Sequence, residues 1–320
     1  MSTLLDLAPR TTGELLDRAL GIYRVQFKAL FKVALVFELV LHGLSKGVEL
    51  LTFAKAPALL SLSTIGRAPP VQQLTWLVPL VVGWIALSLV VFQASVGAVS
   101  LDAAAAQSPQ GFAARACWAR LRPRLGALIY TLALELVLLG LQVSLGLLPL
   151  ALGALNVRGD GSALALVLLA LGAGLSLLLL PALFVTGFLR YLVVPQVVVA
   201  EGLSGRAALA RSVALMRPGL ADRFWSRPKL RASLVLLVLG LVLNAVTLVA
   251  DLPHSALLLA HGGHVQHLSV LIASEALSVF AKTAVAPFAM VALALFHLDL
   301  RVRREGLDLA LQAERLERAA

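Results

Sequence analysis

The chain has 320 residues, of which 60% are hydrophobic and 14% are charged, and its formal net charge is +10. Soluble domains usually carry about 25% charged residues, so this composition excludes an ordinary soluble protein. In a membrane protein a basic balance reports on topology and on contact with anionic lipid, and it does not indicate nucleic-acid binding. The single cysteine, Cys117, excludes a disulfide bond within the chain.

Six apolar stretches are long enough to cross a bilayer, for which a helix needs roughly 20 residues. In chain order they cover residues 29–53, 74–101, 126–155, 162–194, 232–250 and 268–298. The first stretch holds Glu38, His42, Lys46 and Glu49, so we expect it to cross with a tilt. The sequence therefore predicts an all-α, polytopic membrane protein with six transmembrane helices in a single membrane domain, residues 1–320.

The basic residues predict the orientation of these helices. Of the 27 Lys and Arg residues, 22 fall on the N-terminal arm, the two long links and the C-terminal tail. The three hairpin tips, near residues 54–73, 156–161 and 251–267, hold few of them. By the positive-inside rule, both termini are predicted to be cytoplasmic and the tips to face outward. The expected location is the inner, cytoplasmic membrane of the cell.

A threefold internal repeat organises the six stretches. In each copy a helix-capping residue is followed seven positions later by arginine: Thr11 and Arg18, Ser108 and Arg115, Ser204 and Arg211. The copies cover residues 11–107, 108–203 and 204–298, and residues 299–320 are predicted to form a cytoplasmic C-terminal helix. Since each copy leaves the cytoplasm and returns to it, the pattern predicts three parallel-repeat hairpins.

Each hairpin is preceded by a predicted cytoplasmic amphipathic helix. In the first copy, apolar residues from Leu15 to Phe27 recur at helical spacing and share one face. A helix of this kind beside a membrane span lies in the interface plane. We therefore expect Arg18, Arg115 and Arg211 to lie at headgroup level and to form a basic collar. The alternative is that these arginines only anchor the ends of spans.

Four charged residues inside the apolar stretches are candidate functional groups, because charge is costly in a membrane. Glu38 and Glu135 recur at an offset of 97 residues, so they are equivalent in the repeat. They could bind an ion, a proton or a substrate, or they could hold helices together by hydrogen bonds, which is the interpretation we favour. Glu275 and Lys282 lie two helical turns apart and could pair with each other through an intermediary or with other spans, and a structural ion pair is again favoured.

The third hairpin tip contains a histidine series. His261, His264 and His267 lie close to one helical face and are residue types that bind zinc or copper. No cysteine joins them and Asp251 is the only nearby carboxylate, so a solvated loop is favoured, and no metal or other cofactor is predicted. The chain also lacks the phosphate-binding and HExxH motifs. We therefore predict no catalytic residues.

Three segments resemble a bacterial group of six-helix proteins, the membrane domain of glycerophosphoryl diester phosphodiesterases. The segments are GELLDRALGIYRVQFKALFKVAL at 13–35, VVPQVVVAEGLSGRAALARSVALMRPG at 193–219 and LFHLDLRVRREGLDLAL at 295–311. The resemblance implies a six-helix membrane domain. Phosphodiesterase activity in that group resides in a separate soluble domain, which we do not expect within residues 1–320. The basic stretch ADRFWSRPKLR departs from the family pattern.

These observations favour a non-enzymatic protein of the inner membrane that acts as an accessory, scaffold or regulatory component of envelope or membrane processes. Its expected partners are membrane lipid, anionic lipid included, and a membrane or cytoplasmic protein. The alternative is a transporter or flippase for lipid or a small amphiphile, with a membrane-embedded enzyme in third place. A central cavity shared by Glu38 and Glu135 would favour transport, whereas tight helix contacts would disfavour it.

Overall fold

A computed structural model describes residues 9–55, 71–100, 113–160, 163–219, 223–260 and 268–310, together with residues 313 and 317. These residues are almost entirely helical and include no strand. Their longer helices are α1 (Thr12–Lys55), α2 (Val71–Ala98), α3 (Ala114–Leu121), α4 (Leu125–Asp160), α5 (Ala163–Tyr191), α6 (Gly205–Met216), α7 (Pro228–Ala260) and α8 (Leu268–Glu305). Shorter helical turns lie at Arg122–Arg124, Val194–Gln196, Val197–Glu201 and Phe224–Ser226.

Five segments of the described chain are long and apolar enough to cross a membrane. They are Pro79–Ala98, Ala114–Leu155, Ala163–Glu201, Pro228–Pro253 and Ile272–Glu305. Many of their apolar side chains face outward; Leu177 and Leu178 of α5, for example, are 75% and 69% exposed. Soluble monomers rarely expose contiguous apolar surface on such a scale. The structure therefore confirms an all-α, multi-pass membrane protein.

Helix α8 is the central helix of the bundle. In its apolar window 56% of the residues are buried inside the protein, against 17–22% in the other four candidate spans. Helices α1, α2 and α7 all pack on α8. The contacts show that α1 runs antiparallel to α8, since they pair Arg10 with Asp299, Tyr23 with Ala284, Phe31 with Phe280 and Lys46 with Glu275.

The core lies mainly at the end of the bundle where α1 and α7 begin and α8 ends. We call this the arginine-rich end, because five arginine residues there contact carboxylates or backbone of other segments. They are Arg10, Arg211, Arg231, Arg301 and Arg303. Fully buried side chains such as Leu15, Leu121 and Phe296 meet there. Towards the opposite end the helices expose far more apolar side chain.

The link from α5 to α6 belongs to this core, although the sequence places it among the cytoplasmic links. Every residue from 191 to 199 is buried. The helical turn Val197–Glu201 ends at Gly202, whose φ of 76° suits a residue without a Cβ. The N–H of Gly205 then donates to the Thr131 hydroxyl of α4 at 2.8 Å. These bonds fix the point at which the chain turns into α6.

Helix α1 corrects the prediction of a separate interfacial helix in the first repeat. It runs without a break from Thr12 to Lys55, so residues 11–28 and the following apolar stretch form one element. Leu15 and Ala19, from the predicted lipid-facing side, are buried in the protein core. The amphipathic pattern arises because this face packs against protein, and it is not evidence that the segment lies flat on a membrane.

Two other boundaries differ from the prediction. Helix α7 continues to Ala260 and so includes the first part of the predicted tip at 251–267. Helix α8 continues to Glu305 and ends beside Gly306, which has a φ of 61°, so the first part of the predicted C-terminal helix belongs to α8. The ion pairs of Asp299 with Arg303 and of Arg301 with Glu305 have the i,i+4 spacing that stabilises a helix beyond its apolar part.

The predicted helix caps have different outcomes. The N–H of Thr11 donates to Glu14 Oε2 at 2.8 Å, and the N–H of Glu14 donates to Thr11 Oγ1 at 3.3 Å, which is a capping box. Ser204 stands at the N-cap of α6, but its side chain makes no capping hydrogen bond. Ser108 lies outside the described residues.

Candidate functional site

Glu201 is the centre of a group of charged side chains at the arginine-rich end. The turn before Gly202 presents Glu201 to α6 and to the last turns of α8, and its side chain is only 10% exposed. Glu201 Oε2 accepts a hydrogen bond from Arg211 Nε at 2.8 Å, and its Oε1 lies 3.0 Å from His297 Nε2. Arg301 Nε lies 3.7 Å from the same Oε1. We call Glu201, Arg211, His297, Arg301 and Glu305 the Glu201 cluster.

Glu305 completes this cluster from the end of α8. It contacts Arg211 Nη2, and its other oxygen lies 3.1 Å from Arg301 Nε. Burial alone would lower the pKa of the Arg211 guanidinium, but the hydrogen bonds and negative charge of Glu201 and Glu305 outweigh burial and raise that pKa. Arg211 is therefore a permanently charged group shared by two carboxylates.

A second group of charges lies one turn away, around Asp299. Asp299 Oδ2 lies 2.6 Å from Arg231 Nη1 of α7 and 2.9 Å from Arg303 Nε. Asp299 Oδ1 accepts from the backbone N–H of Arg10 at 2.9 Å. Arg231 also donates to the carbonyl oxygen of Arg10 at 2.9 Å, and Arg303 donates to the same oxygen. We call Arg10, Arg231, Asp299 and Arg303 the Asp299 cluster.

The two clusters tie four parts of the chain to the end of α8. The Asp299 cluster holds the start of α1 and the start of α7, and the Glu201 cluster holds the 197–201 turn and α6. Arg231 and Asp299 are both buried, and breaking such a pair by removing one partner costs about 3–5 kcal/mol. The arrangement is therefore a clamp that fixes the relative positions of these segments.

A second polar region lies between α1 and α8, nearer the opposite end. Lys46 Nζ lies 2.6 Å from Glu275 Oε1 and 2.7 Å from Glu49 Oε2. His42 Nε2 lies 3.8 Å from Glu275 Oε2. These four residues line a cleft of about 780 Å³, whose remaining walls are apolar. We call it the α1–α8 cleft.

The predicted candidate Glu135 lies in a third, buried setting. It is 1% exposed, and its Oε1 accepts a hydrogen bond from Gln93 Nε2 of α2 at 2.8 Å. Gln93 also lines a space of about 10 Å³ beside Pro195, which is about the volume that a single water needs. Glu135 therefore lies in a tight contact between α2 and α4.

The structure separates the other predicted residues as well. Glu38 is half-buried on α1 and experiences the charge of Lys282, so it does not share the surroundings of Glu135. Glu275 pairs with Lys46 of α1, which is the second of the two alternatives that the sequence left open, a partner on another helix and not Lys282.

The three predicted interfacial arginines also differ from one another. Arg211 is held by two carboxylates, Arg115 is exposed on α3, and Arg18 is half-buried on α1. A shared basic collar stays a prediction. His261, His264 and His267 lie outside the described residues. Among the residues that are described, no group of three or more His, Cys, Asp or Glu side chains is placed to hold a metal ion.

Sequence reasoning missed Glu201, His297 and Asp299 as centres of contact. Glu201 lies in a polar link and the other two lie in the run FHLDLRVRRE, where the arginines were interpreted only as topology signals. The i,i+4 spacing of Asp299 and Arg303 was available as a signal. The contact between Glu201 and His297 was not, since these residues are 96 positions apart.

Comparisons with known proteins identify no relative: no protein-family model, no curated protein and no solved structure matches this chain.

Proposed function

We propose that the chain is a non-enzymatic component of a bacterial inner membrane and acts as an accessory, scaffold or regulatory subunit for another membrane or envelope protein. The observation that supports this most is the clamp at the arginine-rich end. There, two ion-pair clusters fix α1, α6 and α7 around the end of α8. Exposed basic groups such as Arg115 suit an acidic partner or anionic lipid, because charge complementarity guides association.

Purification in mild detergent tests this role. The protein is expressed at low level in its native cells and purified from their membrane. It should co-elute with another membrane or envelope protein in constant proportion. Replacing the exposed Arg115 by glutamate should reduce that recovery, whereas replacing Gly174, which has no neighbour within 4 Å of a Cβ, by alanine should not. Recovery of the protein alone, together with intrinsic transport or hydrolysis, would contradict the proposal.

The proposal includes six membrane spans arranged as three parallel-repeat hairpins with both termini cytoplasmic. Helix α1 is the additional span. Support comes from the antiparallel path of α1 along α8, which runs from Arg10 beside Asp299 to Lys46 beside Glu275. Helix α8 itself contains a candidate span. Since α1 has 44 residues, it is about 66 Å long and can cross about 30 Å of hydrocarbon.

Family membership also stays part of the proposal. The segments 13–35, 193–219 and 295–311, which carry the resemblance to the phosphodiesterase membrane domain, all contribute to one core cluster. Leu30, Val197 and Phe296 are examples from each. Segments that pack together are expected to be constrained together, so this placement supports a common architecture with that group.

A transporter or flippase is the second candidate, and the α1–α8 cleft is the observation that favours it. The cleft combines charged and apolar walls, as a path for an amphiphile would. The tight contact of Glu135 with Gln93 disfavours a route through the middle of the bundle. Proteoliposomes with fluorescent lipid on one leaflet discriminate the two: a transporter accelerates equilibration of the dye, and the accessory role predicts the rate of empty liposomes.

A further inference from the structure

The α1–α8 cleft has a polar end, where the apolar Leu50 and Ile272 flank the charged side chains, and an apolar end, aligned with the axis of the bundle. His42, Lys46 and Glu275 lie towards the opposite end from the arginines, and Glu275 is seven residues, or about 10 Å, from the start of α8. The apolar wall extends in the other direction to Leu35, which is eleven residues and about 16 Å from Lys46. Phe280, in contact with Phe31 at 5.6 Å, lies in this apolar part.

The side chains of the cleft are open to the surroundings of the bundle. Leu39, Leu50 and Ile272 are all more than half exposed, although they are large apolar residues. In a membrane such a surface is covered by lipid chains. Glu275 lies three residues from Ile272, where the apolar segment of α8 begins, so the polar groups lie near the boundary of the hydrocarbon, where a phospholipid carries its headgroup. The shape and polarity of the cleft therefore match one phospholipid, with its headgroup at Lys46 and an acyl chain along Leu39 and Leu35.

The charges of the cleft decide which headgroup it suits. Two carboxylates, Glu49 and Glu275, face one ammonium group, that of Lys46. These two carboxylates and one ammonium together carry one negative charge in excess, which disfavours an anionic headgroup. A zwitterionic headgroup with a primary ammonium offers N–H donors to the carboxylates and a phosphate to Lys46. A trimethylated ammonium offers no such donor, so hydrogen bonding distinguishes it from the primary amine.

We propose that the α1–α8 cleft is a specific binding site for a phospholipid whose headgroup carries a primary ammonium group, with Glu49 and Glu275 as acceptors for that ammonium and Lys46 as the partner of the phosphate. This site is independent of the accessory role, because that role rests on the arginine-rich end and is measured by recovery of a protein partner. A failed lipid-binding experiment therefore does not contradict the accessory role, and a failed recovery of a protein partner does not contradict the lipid site.

Native mass spectrometry of the purified protein tests the site. Delipidated protein is titrated with phosphatidylethanolamine, phosphatidylcholine or phosphatidylglycerol of the same acyl chains, and the fraction with one bound lipid is measured. Phosphatidylethanolamine should bind roughly tenfold more tightly than the other two, which corresponds to one charge-assisted hydrogen bond. Equal binding of the three lipids, or preference for phosphatidylcholine or phosphatidylglycerol, would overturn the proposal without any variant.

Two variants locate the binding. Glu275→Gln removes a carboxylate charge at nearly constant size and should abolish the preference for phosphatidylethanolamine. Ala276→Trp fills the cleft from an exposed position and should reduce binding of all three lipids. Asp17→Asn, at an exposed carboxylate of α1 away from the cleft, is the matched control and should change neither. If both cleft variants bind like Asp17→Asn, the lipid binds elsewhere and the assignment is wrong.

Discussion

At the scale of single residues, Glu201 joins more of the molecule than its position in a link suggests. Its two oxygens contact Arg211 from α6 and His297 and Arg301 from α8. A buried carboxylate is stable only when such partners replace the water it has lost. The consequence is that removing one of these partners should destabilise the fold.

Arg211 tests this point, and Arg115, its counterpart in the predicted repeat, supplies the control. Arg211→Gln removes the cation shared by Glu201 and Glu305 and should destabilise the protein by about 2 kcal/mol. Arg115→Gln, at an exposed position, should change stability by less than about 0.5 kcal/mol. Thermal unfolding of the detergent-purified variants measures both. Equal losses would mean that the network does not distinguish the two arginines.

Substitutions of Glu135 distinguish a structural role of this residue from a role in ligand binding. Glu135→Gln keeps a polar group that can bond to Gln93 and should preserve stability within about 1 kcal/mol, because an amide replaces the carboxyl at the same size. Glu135→Ala leaves the buried amide of Gln93 without its partner and should cost at least about 2 kcal/mol. The same unfolding assay applies. A loss for Glu135→Gln as large as for Glu135→Ala would show that the charge itself is needed.

The residues of the candidate site were only partly predictable. Charge inside an apolar stretch is a sequence signal, so Glu38, Glu135, Glu275 and Lys282 could be selected from the sequence. Their partners could not, because Gln93 and Lys46 come from other helices whose rotation is set by packing. Glu201 and Asp299 lie next to apolar runs, where a charged residue has a simpler explanation as the end of a span.

At the scale of helices, α4 and α5 form the most extensive helix pair, and glycines allow their close approach. A Cβ on Gly172 of α5 would lie 2.3 Å from the carbonyl oxygen of Pro149 on α4. A Cβ on Gly153 would lie 2.8 Å from the carbonyl oxygen of Leu168. In membranes small residues let helix backbones touch, and this packing replaces the hydrophobic effect as the source of stability.

Gly172→Val should therefore push α4 and α5 apart. The extra side chain meets backbone that cannot rotate away, and overpacking of this kind costs about 1–3 kcal/mol. Gly174→Val is the matched control, since a Cβ there has no neighbour within 4 Å. Thermal unfolding should show a lower midpoint for Gly172→Val than for Gly174→Val. Equal midpoints would mean that helix propensity, which changes alike in both variants, decides the outcome and that the close contact is unimportant.

The helices themselves were largely predictable, but their ends were not. Apolar runs reveal five of the crossing segments because hydrocarbon demands about 20 apolar residues. The ends of α7 at Ala260 and α8 at Glu305 extend past those runs, where capping and ion pairs decide the helix boundary. The amphipathic start of α1 was misassigned because a face that packs on protein and a face that lies on lipid have the same periodicity.

At the scale of the whole molecule, the Asp299 cluster restricts the number of crossings. It joins the start of α1 to the end of α8, so both lie at the same end of the bundle. A chain that begins and ends on one side of a membrane crosses it an even number of times. Five candidate spans lie beyond α1, and α1 itself supplies the sixth crossing in the arrangement we propose.

Cysteine labelling tests this topology. In a Cys117→Ser background, a cysteine at Gly159 in the last turn of α4 should react with a membrane-impermeant maleimide in intact cells. Cysteines at Gly13 in α1 and at Ala119 in α3, both exposed in the structure, should react only after the cytoplasm is opened. If Gly13 is labelled from outside while Ala119 is not, α1 does not cross and the six-span arrangement is wrong. If Ala119 and Gly13 react from outside and Gly159 from inside, the number of spans stands, but the positive-inside orientation is reversed.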